Sequence, residues 1–208
     1  MKTLILVRHG ETEGESSIRY HGRNDVPLSE LGRAQMRAAR AAIDAHHGGL
    51  AFERVFTSPL IRAAEGARII ADEPPSLTLE EFAEVHFGDF EGLTREEIRA
   101  RFPDEYARWR ADPLSPAYAY PGGESRAAFA TRVERGVARM LSLWTPQGAL
   151  GATRALVVAH RGVIRTIVQT LTAAEPEVEL GSIQILEHAG AWTPAALDLI
   201  AHLTDVRA

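Results

Sequence analysis

Cysteine is absent from this 208-residue chain, and that absence removes whole classes of chemistry. Without a thiol there is no disulfide framework, no thiolate zinc site and no cysteine nucleophile, so thiol-based phosphate-ester hydrolysis is excluded with the rest. Lysine is almost missing as well, occurring once as Lys2. A Schiff-base lysine has no suitable position, and no Gly-Lys-Ser/Thr triplet marks a phosphate loop. No apolar run approaches a membrane span, and the chain passes from Lys2 straight into a short strand-like run with none of the parts of a signal peptide. The expectation is a cytoplasmic protein without a membrane partner. Basic charge is also in deficit, with a formal net charge of −5, which argues against a nucleic-acid partner.

The positive charge that exists is therefore local, and apart from Lys2 it is all arginine. Guanidinium groups grip phosphate at two points. Apolar residues at 45% and charged residues at 25% are ordinary for a globular protein, and the length suits one domain over residues 1–208.

The most informative segment is Leu4-Ile5-Leu6-Val7-Arg8-His9-Gly10. An apolar run fit for a buried strand stops at Arg-His-Gly, delivering a guanidinium and an imidazole to a strand's carboxyl end, where open α/β sheets bind ligands. The chain repeats the device at Ala155-Leu156-Val157-Val158-Ala159, followed by His160-Arg161-Gly162. Two strand ends, each tipped with His and Arg, make a site suited to an anion.

Between them, apolar runs and helical periods alternate. Ser29 is placed to cap a helix to about Ala45, Phe52 to Phe56 form a strand, Leu60 to Ala71 a helix, and Leu77 to Leu79 a short strand. Residues of about 93–121 look like an insertion with two charged short helices and a Pro/Ala/Tyr loop. Phe129, Val133, Val137, Met140, Leu141 and Trp144 recur at helical spacing after Ser125. A helix from Val163 to about Leu171 follows the second His, with Ile183–Glu187 and Leu197–Leu203 as closing strands. The pattern predicts a three-layer αβα sandwich with a mainly parallel central sheet, its site at the strand carboxyl ends and a small helical insertion over the pocket.

A neutral imidazole is a competent nucleophile towards phosphorus, and flanking arginines keep it neutral by disfavouring the imidazolium. His9, beside Arg8 and before the turn residue Gly10, has that setting. A histidine in a core is more often a packing residue, and Arg62 alone would read as a helix-surface residue. Their positions just past strand ends favour the functional reading. The other histidines form no metal-ligand pattern, so neither a metal nor another cofactor is expected.

At this point the sequence resembles the histidine phosphatase superfamily, which includes cofactor-dependent phosphoglycerate mutases. Leu6-Val7-Arg8-His9-Gly10-Glu11-Thr12 is similar to its signature. In the family's order follow Gly22-Arg23-Asn24-Asp25-Val26-Pro27-Leu28-Ser29 and Thr57-Ser58-Pro59-Leu60-Ile61-Arg62-Ala63. After them come Glu84 with Gly88-Asp89-Phe90-Glu91-Gly92, then Gly122-Gly123-Glu124-Ser125 and Val158-Ala159-His160-Arg161-Gly162-Val163-Ile164-Arg165. The resemblance implies that His9 is the nucleophile forming a phosphohistidine, and that Arg8, Arg62 and His160 bind the phosphoryl oxygens. Glu84 would be general acid and then base, a role that asks for a raised pKa, with Glu80, Glu81 and Glu91 as competitors. His21, Gly22 and Arg161 are candidate substrate contacts.

Three positions depart from the family pattern. Glu15 stands where mutases have Asn, and its carboxylate would repel a second anionic group unless a neighbouring serine takes over. His21 precedes Gly22 where Gln or a small residue is common, and Arg161 stands where Gly is frequent. The short insertion also lacks the adjacent arginine pair of mutases, Arg108 and Arg110 being the nearest approximation. The expected activity is metal-independent hydrolysis of a small phosphorylated metabolite. A phosphoglycerate mutase and a non-catalytic phosphate-ligand-binding protein remain the alternatives, and a homodimer is left open.

Overall fold

The computed structural model describes residues 1–49, 51–72, 75–112, 115–144 and 153–206. The two apolar runs that end in histidine are neighbouring strands at the centre of one sheet. β1 (Lys2–Arg8) lies parallel to β4 (Thr153–Ala159) in a register that sets Arg8 opposite Ala159. His9 and His160 therefore leave the sheet side by side. β2 (Arg54–Thr57) and β3 (Leu77–Thr78) extend the parallel part, and β5 (Ile183–His188) and β6 (Trp192–Leu199) add an antiparallel edge, giving the order β3-β2-β4-β1-β5-β6.

Near-continuous apolar strands follow from burial on both faces. In β1, Leu4 and Leu6 point into one core while Ile5 and Val7 point into the other. The second core is closed by α1 (Glu30–His47) and α2 (Ile61–Ala71), through Met36, Ala39, Ile43, Ala63, Ala67 and Ile70. The first is closed by α5 (Arg126–Leu143) and α6 (Arg161–Thr172), through Phe129, Val133, Val137, Met140, Val163 and Ile167. The expected helix cap at Ser29 forms, its side chain accepting from Gly32 N at 3.1 Å.

The expected insertion carries two short helices, α3 (Arg95–Arg101) and α4 (Pro103–Ala111). A capping box between Thr94 and Glu97 starts α3, and Pro103 allows a new helix to begin where the first has ended. Pro113 and Leu114, in the loop expected after them, lie outside the described residues.

The expected closing strand Leu197–Leu203 is corrected. β6 begins at Trp192, pairs Thr193 with Glu187 and Pro194 with Leu186, and ends at Leu199. Thr-Pro-Ala-Ala carries little strand signal, because an edge strand tolerates proline and needs few apolar residues. Residues Ala201–Val206 form a 3₁₀ turn instead, and Leu203, 1% exposed, packs it towards Gly181 and α1.

Candidate active site

His9 is buried, and its ring has a fixed orientation. Nδ1 lies 2.7 Å from the Gly10 carbonyl, which can only accept, so the ring hydrogen sits on Nδ1 and Nε2 keeps its lone pair. Arg62 Nε donates towards that nitrogen at 3.3 Å. Burial, then Arg62 and Arg8, hold the His9 pKa well below 6.5, so the imidazole is neutral near pH 7. The His160 ring centroid is 5.1 Å away, edge to face, and its Nε2 shares a 2.7 Å hydrogen bond with Ser58 Oγ. Burial and the same arginines also hold His160 well below 6.5.

Arg62 is 1% exposed, a rare state for a guanidinium, and is satisfied by backbone. Its Nη1 donates to Asn24 O at 2.7 Å and its Nη2 to Gly22 O at 2.8 Å. Gly22 takes a left-handed φ of 51°, and a Cβ there would lie 2.5 Å from Glu91 Oε1, so only glycine fits this turn. Arg8 donates from Nη1 to Val178 O at 3.0 Å, while its Nε is buried without a protein partner among the described residues. Burial lowers the Arg8 pKa to about 10 and lowers that of Arg62 as well, which leaves Arg8 cationic near pH 7. A chain of net charge −5 thus sets two guanidinium groups, Arg62 buried and Arg8 half-buried, beside two neutral imidazoles.

Glu84 faces them from the segment after a 3₁₀ turn at Glu80–Phe82. It is 9% exposed and accepts from Val85 N at 2.9 Å and from Gly162 N, in the first turn of α6, at 3.2 Å. A Cβ on Gly162 would come within 2.7 Å of Glu84 Oε1, so the glycine gives the carboxylate its seat. The competing glutamates are engaged elsewhere. Glu81 pairs with Arg139, Glu91 accepts from Arg23 N and Phe87 N, and Glu80 is exposed. None of those three lines the cavity of about 1020 Å³ that holds Arg8, His9, Arg62 and Glu84.

The candidate contacts divide. His21 and Gly22 line the cavity. His21 Nε2 bonds to Gly14 O at 2.5 Å, and burial lowers its pKa. Arg161 is exposed at the mouth, with Nε donating to Glu177 O at 3.0 Å and Nη2 3.3 Å from the Glu177 carboxylate. Glu15, at a φ of 60°, pairs with Arg19 and is not in the cavity wall, whereas Ser16 and Ser17 are. Of the two insertion arginines, Arg110 lines the cavity and Arg108 is paired with Glu105.

Sequence reasoning missed several participants. Ser58 was visible only as part of a turn, yet it orients His160. Arg132 on α5 donates to Glu81 O and Ala83 O at 2.8 Å each and to Glu124 Oε1 at 2.6 Å, fastening the segment that carries Glu84. The aromatic residues near the insertion divide between the cavity wall and the core. Phe87, Trp109 and Tyr120 line the cavity together with Tyr20, in edge-to-face contacts of 5.0 to 5.4 Å, while Phe90 is buried beneath them. Among the described residues there is no cluster of His, Asp or Glu arranged to hold a metal ion, and no helix long and apolar enough to cross a membrane.

Residues 4–193 match the histidine phosphatase superfamily (branch 1). A glucosyl-3-phosphoglycerate phosphatase of Mycolicibacterium vanbaalenii is 34% identical over 175 residues, covering 82% of this chain and 74% of the relative. A 2,3-bisphosphoglycerate-dependent phosphoglycerate mutase 2 of Gloeobacter violaceus is 36% identical over 183 residues, covering 85% and 78%. The crystal structure of an alpha-ribazole phosphatase from Shigella flexneri superposes with a TM-score of 0.80 at 27% identity, covering 94% of this chain and 96% of that one.

Proposed function

This chain belongs to the histidine phosphatase superfamily, and on that premise we propose that it is a metal-independent phosphomonoesterase acting on a small phosphorylated metabolite. In this reading the His9 Nε2 lone pair attacks phosphorus in line, forming the P–N bond as the P–O bond to the leaving alcohol breaks. Arg8, Arg62 and His160 hold the phosphoryl oxygens and meet the charge that builds up on them, electrostatic stabilisation of about 3 kcal/mol for each well-placed donor. Glu84 gives its proton to the departing oxygen. It then takes one from the water that attacks the phosphohistidine, so the P–N bond breaks and inorganic phosphate leaves.

The observation that carries the reading is the His9 ring, tethered at Nδ1, neutral, and presenting Nε2 among guanidinium groups in an open cavity. The guanidinium groups provide the positive charge that many phosphatases draw from a metal. Chelator-treated protein is expected to release phosphate from a metabolite panel, with His9→Ala as the blank. Strict dependence on added divalent metal would overturn the mechanism.

A mutase is the second reading, favoured by the relatives of that description and by Arg110 in the cavity wall. The engagement of Arg108 with Glu105 counts against it. Interconversion of phosphoglycerates after priming with bisphosphoglycerate would establish it. A regulatory protein that only binds phosphate ligands would bind anions and release no phosphate from any of them.

A further inference from the structure

The back wall of the anion site is a strained turn held shut by a residue far from it in sequence. The segment between α6 and β5 wraps against the end of β1: Arg8 N donates to Ser182 O at 3.2 Å, Gly181 N to His9 O at 3.3 Å, and Arg8 Nη1 to Val178 O at 3.0 Å. Val178 is fully buried and has a φ of 60°. A β-branched residue strongly disfavours that left-handed conformation, so something outside the residue must impose it.

Asp198, near the end of β6, does so. Its Oδ2 accepts from Glu177 N and its Oδ1 from Val178 N, each at 2.9 Å, which fixes both amides of the turn. Asp198 is itself left-handed, at a φ of 54°, and is locked to buried Gln184 by a reciprocal pair. Its N–H donates to Gln184 Oε1 at 2.6 Å, and Gln184 Nε2 donates back to Oδ1 at 3.1 Å. On its other side, Glu177 O receives the Arg161 hydrogen bond. Two non-glycine residues in a costly conformation, joined by hydrogen bonds and ending on the guanidinium beside the nucleophile, are the kind of strain that persists where a site demands it.

We infer that Asp198 is a positioning residue for phosphoryl recognition, holding the Glu177–Val178 turn in the conformation that aims Arg8 at the phosphoryl group. It touches no substrate and acts through the Val178 carbonyl. The inference rests on the phosphatase reading only in taking the cavity floor as a phosphate site.

The test measures inorganic phosphate binding by calorimetry, together with kcat and KM for p-nitrophenyl phosphate, on Asp198→Asn. Asparagine keeps the size but replaces one acceptor with an NH2 group facing an N–H. At a temperature where its circular dichroism matches wild type, phosphate affinity is expected to fall about tenfold or more, with KM rising in step. The same substitution in a Val178→Gly background, where the left-handed turn needs no enforcement, is expected to cost markedly less. Should Asp198→Asn not fold, Asp198→Ser, which keeps one acceptor oxygen, is measured in its place. A folded variant with wild-type phosphate affinity overturns the inference, as does an equal loss in both backgrounds. Wild-type protein that binds no phosphate would instead sink the functional reading itself, a distinguishable result.

Discussion

The floor and the mouth of the cavity are built on different principles. On the floor, His9 and Arg62 are at most 4% exposed and tied by short hydrogen bonds to backbone, and His160, fully buried beside them and not part of the cavity wall, is tied to a buried serine. At the mouth, Arg110 and Arg161 are exposed, Arg19 and Arg161 are paired with glutamates, and aromatic rings stack edge to face on an insertion of short helices. Placement on adjacent parallel strands makes the floor rigid enough for preorganised electrostatics. On the proposed reading, the floor sets the reaction type and the mouth tells one substrate from another.

The sharpest way to break that division is His9→Ala. Activity is expected to fall by about 10³-fold or more on every phosphorylated substrate alike, measured as phosphate release. A loss confined to one substrate would place His9 among the selective residues instead. Glu84→Gln is expected to cost about 10²-fold or more for alkyl phosphates and far less for p-nitrophenyl phosphate, whose leaving group needs no proton. Equal losses on both would remove Glu84 from the acid role.

Trp109→Ala, at the mouth, is expected to change KM for the preferred metabolite several-fold while leaving inorganic phosphate binding as in wild type. A collapse of kcat on all substrates would erase the distinction between the regions. The smallest effect concerns stability. His9 and His160 have pKa values held well below 6.5 by burial first and Arg62 second, so the unfolded chain takes up their protons before the folded one. Their neutrality costs nothing above about pH 6.5, and stability is lost as pH falls below that value towards the folded pKa. Thermal melts from about pH 7.5 down to about pH 5.5 should show a decline that His160→Gln makes shallower. An unchanged slope in that variant would contradict the burial argument.

The contrast also explains what was legible in the sequence. Arg8, His9 and His160 are legible as a group, because two apolar runs each end in a neighbouring His and Arg, although a single core histidine is more often a packing residue. Arg62 was readable for the same reason, one residue into a helix after a strand. Asp198, Ser58 and Arg132 were not, since each acts through backbone atoms or a distant imidazole, and no local pattern encodes a partner far along the chain. β6 was misplaced because edge pairing with β5, rather than apolar periodicity, makes it a strand. Leu203 supplied a strand-like signal for what is a 3₁₀ turn.

In the proposed mechanism, the phosphoryl group transfers through the His9 ring. Rapid quenching in alkaline denaturant during turnover, followed by peptide mass analysis, tests it directly, because a phosphohistidine survives those conditions. A phosphoryl group on the peptide containing His9, appearing and decaying at rates that match turnover and absent from His9→Ala, is the predicted result. Steady hydrolysis with no label on that peptide at any time point would contradict it.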